Sequence, residues 1–326
     1  VGYTLKEYHS KNFNVNKEGF RSKTNYSERL QNDKKKIFFF GSSALVGIPN
    51  LADDGTISSL VEKYLNQKYE CYNFGLIASK INSEFSLFQQ VITENKPDFV
   101  VLYSGYNDLN AAYHGHRFEY YDDINSILKI GFEFEKKKTS IIYSLEQLLD
   151  TIIYKIANLI KIINKKDSSL IMVEAQNRRR KILKEKNISH TYDLSREVYV
   201  NYLELFLYLC KQKNIKVIYI HQPSLLTTDK ELSEYEKEYY KSHKELGLYK
   251  NSDLSKDQTE FKKNYEIFKN DSHDICKKLN SDFIDFEKIL LNEYKKENIF
   301  YDNVHLTNVG SEILSKIITN KILNQN

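Results

Sequence analysis

Cysteine, proline, glycine and tryptophan are all scarce in this chain of 326 residues. The three cysteines, Cys71, Cys210 and Cys276, are an odd number with no short spacing between any two, which fits neither a disulfide framework nor a cysteine-based zinc site. Three prolines and eleven glycines exclude collagen-like and Pro-rich low-complexity architecture. No apolar run reaches the roughly 18 residues that a helical membrane span needs. Charge of one sign is missing too: 48 Lys and Arg against 44 Asp and Glu leave +4, so bulk charge does not indicate a nucleic-acid partner. What is present is ordinary globular material, 41% apolar and 28% charged, which excludes a wholly disordered chain. The chain opens at Val1 rather than Met, and an upstream signal peptide or membrane anchor is an expectation.

Residues 1–34 are polar and aperiodic and read as an arm lying on the domain. From there a strand-then-helix order repeats. The apolar run Ile37-Phe38-Phe39-Phe40 ends in Gly41-Ser42-Ser43, the pattern of a buried parallel strand entering a turn. A helix is predicted over 57–66, a second strand from Tyr69 to Phe74, and a helix over 80–95 closed by Lys96-Pro97-Asp98. The third strand is Phe99 to Tyr103, followed by Ser104-Gly105. Later come a helix over 195–213, a fourth strand from Ile215 to Ile220, a helix over 258–279, a short fifth strand from Phe283 to Phe286, and a closing helix over 308–323. Strands alternating with helices predict a single α/β domain, a three-layer α/β/α sandwich around a five-stranded parallel sheet. Residues 110–194 and 221–256 break the repeat and read as insertions. Within the first, apolar residues at helical spacing predict an amphipathic helix over 141–163, about 35 Å long. Its apolar face suits the core, a second copy of the chain, or a membrane surface, although Glu146, Asp150, Lys155 and Lys161 are too sparse for a strongly basic face.

Open parallel sheets bind ligands beyond the carboxyl ends of their strands. There the sequence places Ser43 after strand one, Asn73 and Gly75 at strand two, and Gly105-Tyr106-Asn107-Asp108 after strand three. Asp302-Asn303-Val304-His305 follows strand five and its helix. A serine hydroxyl becomes a good nucleophile when an imidazole takes its proton, and the imidazole needs a carboxylate to fix its tautomer. Ser43, His305 and Asp302 fill those roles. The N–H groups of Ser43 and Gly75, with the Asn107 amide, are the candidate donors to an oxyanion.

These four blocks, in order, resemble the SGNH (GDSL) hydrolase family, whose named Ser, Gly, Asn and His would be Ser43, Gly75, Asn107 and His305. Leu306-Thr307-Asn308-Val309-Gly310 resembles the family's closing block, whereas Ser42 stands where the family's Gly-Asp-Ser has aspartate. The resemblance covers about 35–108 and 281–324 with the fourth strand between them, and leaves both insertions outside. It implies a flavodoxin-like sheet and a serine esterase that needs neither metal nor organic cofactor. The expected substrate is a small acyl ester, an O-acetyl group on a carbohydrate or glycan. An O-acyltransferase, a lipid ester or thioester hydrolase, and an inactive binding protein on the same fold are the alternatives. The arm sequence Asn16-Lys17-Glu18-Gly19-Phe20-Arg21 is similar to bacterial members linked to surface polysaccharides, which favours an extracytoplasmic or membrane-anchored location.

Plainer roles exist for each of these residues. Ser43 has the composition of a helix N-cap, and Asn107 and Asp108 are common turn formers, Asp108 in particular suiting a loop brace. His114 and His116 offer two imidazoles but no third metal ligand. Arg178-Arg179-Arg180-Lys181 reads as a solvated charge run. His221-Gln222, after the fourth strand, is placed to reach the mouth of the site.

Overall fold

A computed structural model describes residues 5–30, 33–48, 51–66, 68–113, 191–245 and 254–325. The predicted helix over 141–163, the histidines His114 and His116 and the basic run Arg178 to Lys181 lie outside the described residues. The central sheet has five parallel strands: β1 (Lys35–Gly41), β2 (Tyr69–Gly75), β3 (Phe99–Ser104), β4 (Lys216–His221) and β5 (Asp282–Ile284). Their order across the sheet is β2-β1-β3-β4-β5. The chain therefore reverses direction of growth between β1 and β3, and such a switch point opens a crevice at the strand ends.

Both faces of the sheet are covered, which is why apolar side chains in the strand centres point to both faces rather than to one. Phe38, Phe40, Tyr72, Phe74, Val100 and Leu102 point to one face. They pack there on Ile81 and Phe88 of α3 (Ile81–Glu94), on Phe206 of α5 (Thr191–Gln212) and on Phe268 of α7 (Leu254–Leu279). The intervening Ile37, Phe39, Cys71, Val101 and Tyr103 point to the other face. Their partners are Ile57 and Val61 of α2 (Ile57–Tyr64), Leu290 of α8 (Phe286–Glu293) and Leu314 and Ile318 of α9 (Asn308–Leu323). Phe38, Phe39 and Phe40 are all fully buried, and a buried ring of that size contributes about 2–3 kcal/mol.

The fifth strand is shorter than its sequence suggests. It stops at Ile284, because the Asp285 carboxylate accepts the Lys288 N–H and caps α8, which begins at Phe286. The arm is more structured than its composition implies: Tyr8–His9 and Asn14–Val15 form a short antiparallel hairpin, and Phe20 and Tyr26 enter the core. Helix α4 (Tyr106–Tyr113) and the start of α5 at Thr191 occupy the two ends of the stretch read as the first insertion. Within the second, α6 (Glu234–Glu245) packs beside the loop that precedes α9, where Glu236 accepts the Ile299 and Phe300 N–H groups.

Strand register brings the candidate residues to one edge. Gly41 pairs with Gly75 on one side and Tyr103 on the other, and Ser104 pairs with His221, so the four strands end level. Gly41 is required there, since a Cβ on it would lie 2.4 Å from the Tyr103 carbonyl oxygen.

Candidate active site

Ser43 begins α1, a single helical turn spanning Ser43–Val46. Ser42, not Ser43, occupies the N-cap position in extended conformation, so the Ser43 side chain is not spent on capping. Ala44, Leu45 and Val46 are buried and anchor the turn, leaving Ser43 half-buried at its start. His305 lies 262 residues further along the chain, yet its Nε2 is 2.9 Å from Ser43 Oγ. Its Nδ1 is 2.7 Å from Asp302 Oδ2. A carboxylate at Nδ1 keeps the proton there and leaves the Nε2 lone pair facing the hydroxyl.

The Asp302–His305 pair is held by its own loop. Asp302 Oδ1 accepts the Val304 N–H (2.9 Å) and the His305 N–H (2.8 Å), and the Tyr301 N–H donates to the His305 carbonyl at 2.8 Å. Thr307 ends the loop by capping α9, accepting the Gly310 N–H, while its hydroxyl donates to the Asn298 carbonyl at 2.5 Å. Burial alone would raise the Asp302 carboxyl. The His305 ring and the two N–H groups outweigh it and hold the Asp302 pKa below the ordinary carboxylate value.

The second insertion clasps this loop from outside. Leu225 N–H and Ser224 Oγ both donate to the Asn303 carbonyl, at 2.9 and 2.8 Å. Lys230 and Glu236 form a fully buried ion pair at 2.5 Å, and Glu236 Oε1 takes the Ile299 and Phe300 N–H groups at 3.0 and 2.9 Å.

The remaining expected donors are placed differently from one another. Asn107, second residue of α4, is half-buried and its amide donates to the Ser79 carbonyl at 2.9 Å. That bond uses one of its two amide protons. Asp108 is fully buried and accepts the Ile81 N–H, bracing the start of α3 against α4. Gly75 does not fit the oxyanion role expected of it: it is buried, and its N–H donates to Asn73 Oδ1 at 3.0 Å. The reason is register, because Gly75 is still inside β2, paired with Gly41. The exposed part of this loop is Ile77-Ala78. Ala78 sits in the left-handed region (φ 55°), and its N–H makes no hydrogen bond to the described residues. Glycine is the usual signal for such a backbone, and an alanine carries no such mark.

His221 does not reach the mouth of the site. It is fully buried beneath Gly105, where a Cβ would lie 2.6 Å from His221 Cε1 and where φ is 106°. Burial, aided by the Lys269 charge, pushes its pKa down to about 3, so the ring is neutral. Its Nδ1 lies 3.2 Å from the Tyr219 hydroxyl, part of a buried network with Tyr199 and Ser272. Gln222 is the closer neighbour of the triad: Ser42 Oγ donates to its Oε1 (3.4 Å) and its Nε2 donates to the Val304 carbonyl (3.5 Å). Among the described residues no three His, Cys, Asp or Glu side chains group to hold a metal ion, and the three cysteines are buried free thiols. No described helix is long and apolar enough to cross a membrane.

No family model matches the sequence, and no curated protein matches it at a significant level. Among solved structures, the chain is similar to an acetyl xylan esterase (15% identity, TM-score 0.46), with 88% of this chain and 99% of that one covered. It is similar to an acetyl xylan esterase from Geobacillus stearothermophilus (12% identity, TM-score 0.48), over 88% of this chain and 94% of that one. A GDSL-like lipase from Bacteroides thetaiotaomicron also aligns (11% identity, TM-score 0.44), covering 90% of this chain and 89% of that one.

Proposed function

We propose that this protein is a serine esterase acting through Ser43, His305 and Asp302. The observation that carries the reading is the unbroken relay from Ser43 Oγ to His305 Nε2 at 2.9 Å and from His305 Nδ1 to Asp302 Oδ2 at 2.7 Å. A hydroxyl, an imidazole and a carboxylate in that order, half-buried at the carboxyl edge of a parallel sheet, are the parts needed for acyl transfer. His305 takes the Ser43 proton as the oxygen attacks the ester carbonyl. Asp302 stabilises the imidazolium, and His305 then protonates the departing alcohol. Water activated by the same ring releases the acid and restores Ser43. The second amide proton of Asn107 and the Ser43 N–H serve the oxyanion, and Ala78 N–H takes the donor place first assigned to Gly75. The substrate we assign is a small O-acyl ester, an acetyl group on a carbohydrate, on the strength of the motif resemblance.

A fluorophosphonate probe tests the chemistry directly. Labelling is expected on Ser43 and is expected to vanish in Ser43→Ala. An unlabelled parent protein, or labelling that survives the substitution, overturns the reading. Acetylated sugars assayed beside p-nitrophenyl esters of increasing chain length test the substrate class; turnover that rises with chain length and is absent on the sugars rejects the acetyl-carbohydrate assignment.

A further inference from the structure

The helical turn that starts at Ser43 is too short to hold itself. A four-residue turn nucleates poorly and leaves its last carbonyls without helical partners. Inside the turn, Ser43 C=O accepts the Gly47 N–H at 3.0 Å. The Leu45, Val46 and Gly47 carbonyls accept from side chains elsewhere in the chain, and Gly47 C=O also takes the Leu51 N–H at 3.1 Å. Leu45 C=O accepts from Asn73 Nδ2 at 2.8 Å. Val46 C=O and Gly47 C=O both accept from Arg21 Nη1, each at 2.8 Å.

Arg21 belongs to the arm, and its whole guanidinium is used. Nη2 donates to the Leu51 carbonyl at 2.5 Å and reaches the Asn12 carbonyl at 3.4 Å, while Nε donates to Asp53 Oδ1 at 3.1 Å. Its side chain is 2% exposed, and its flat face lies 4.4 Å from the centre of the Phe13 ring. The arm folds so as to deliver it: Asn16 Oδ1 accepts the Glu18 and Phe20 N–H groups, and Phe20 packs edge-on against Phe74 of β2. A buried cation with one carboxylate partner and four carbonyls is a costly construction for a mere surface arm.

We propose that Arg21 is a positioning residue for the nucleophile, a guanidinium clamp that fixes the end of the Ser43 turn so that Ser43 Oγ stays on His305 Nε2. The inference rests on the serine-esterase reading. Without the clamp the turn unwinds from Val46 and Gly47 back toward Ser43, and a displacement of about 1 Å at a reacting atom costs on the order of 10²-fold in rate. Lysine cannot replace it, since a single ammonium has three donors on one nitrogen and cannot span Val46, Gly47, Leu51 and Asp53 together.

The test uses the full chain with Arg21→Gly and Arg21→Lys, measuring the rate of Ser43 phosphonylation, kcat and KM on p-nitrophenyl acetate, and Tm. Both variants are expected to lose roughly 10²-fold in kcat and in labelling rate with KM little changed. Millimolar guanidinium is expected to return part of the rate to Arg21→Gly and none to Ser43→Ala. Leu290→Ala, a core truncation in α8, is the control for lost stability: its Tm falls while its kcat holds. Parent-like kcat and labelling in Arg21→Lys, or no response of Arg21→Gly to guanidinium, overturns the clamp. Should Arg21→Gly not fold, the labelling rate and kcat of Arg21→Lys decide alone. A parent protein that the probe does not label removes the esterase reading and the clamp together; a labelled parent with unaffected Arg21 variants removes only the clamp.

Discussion

The loop that carries Asp302 and His305 and the turn that carries Ser43 are built on opposite plans. Asp302 and His305 stand three residues apart, and Asp302 Oδ1 is saturated by N–H groups of its own loop. The Ser43 turn depends on Arg21, Asn73 and Gln222, which lie on three different segments of the chain. A base and its carboxylate can be oriented by a local loop because one short turn fixes both side chains. Ser43 must meet His305 across 262 residues, so its position is set only when sheet, arm and second insertion are all assembled. Even the local loop is pressed from outside by the Lys230–Glu236 pair, which makes the second insertion part of the site's support rather than a decoration.

The sharpest way to separate the two plans is to remove the base. His305→Ala is expected to lower kcat on p-nitrophenyl acetate by on the order of 10⁴-fold while leaving Tm almost unchanged, because the ring lies outside both hydrophobic clusters of the core. Retained activity would break the relay. Next in size is the external press on the loop. Lys230→Met leaves Glu236 buried with backbone donors but no countercharge, and urea titration is expected to show a loss of about 3 kcal/mol.

The nucleophile side has its own titration. Burial pushes the Glu84 carboxyl up from 4.5 to about 7, against the hydrogen bonds from Ser79 and Ser104. Ser79 Oγ lies between Glu84 Oε1 and the Gly41 carbonyl, just before the nucleophile. The neighbouring Asp108 carboxyl is raised by burial and by Glu84, with Lys80 opposing. A folded-state pKa above the unfolded value favours the protonated form, so this contribution is complete below pH 4.5 and fades as pH rises through 7. Chemical denaturation across that range is expected to show a decline of about 2–3 kcal/mol in the parent that Glu84→Gln makes shallower. A parent and variant with parallel profiles would rule the carboxyl out as the source. The smallest effect belongs to Gln222→Ala. Its two hydrogen bonds are long, 3.4 and 3.5 Å, and about a 3- to 10-fold fall in kcat is expected at unchanged KM. A change confined to KM would assign Gln222 to substrate binding instead.

The strands were legible because a sheet covered on both faces needs unbroken apolar runs, and Ile37 to Phe40 and Phe99 to Tyr103 are such runs. Predicted and observed limits agree within a residue or two for β1 to β4, and α9 spans 308–323 as its periodicity suggests. The end of β5 was missed because Phe283 to Phe286 reads as one apolar segment, whereas Asp285 caps a helix inside it. Ser43, Asp302 and His305 are marked in the sequence by their place beyond strands one and five and by the four-block resemblance, and the structure brings the three side chains together. Gly75 does not fit its expected role because β2 runs on through it and its N–H is taken by the Asn73 side chain, and a motif does not mark where a strand ends. His221 was misplaced for a related reason: a residue at a strand end can turn under a neighbouring loop as easily as toward the crevice.

Sequence alone determined the layers, the strands and the chemical types standing at their carboxyl ends, because periodicity and residue type are local properties of a chain. Tertiary structure alone decided which donors remain free among the described residues, that the Arg21 guanidinium of the arm reaches the Val46 and Gly47 carbonyls, and that Ser43 and His305 touch. Those outcomes depend on distances between segments far apart along the chain, and hydrogen bonds of 2.8 and 2.9 Å between them exist only after the intervening elements have packed.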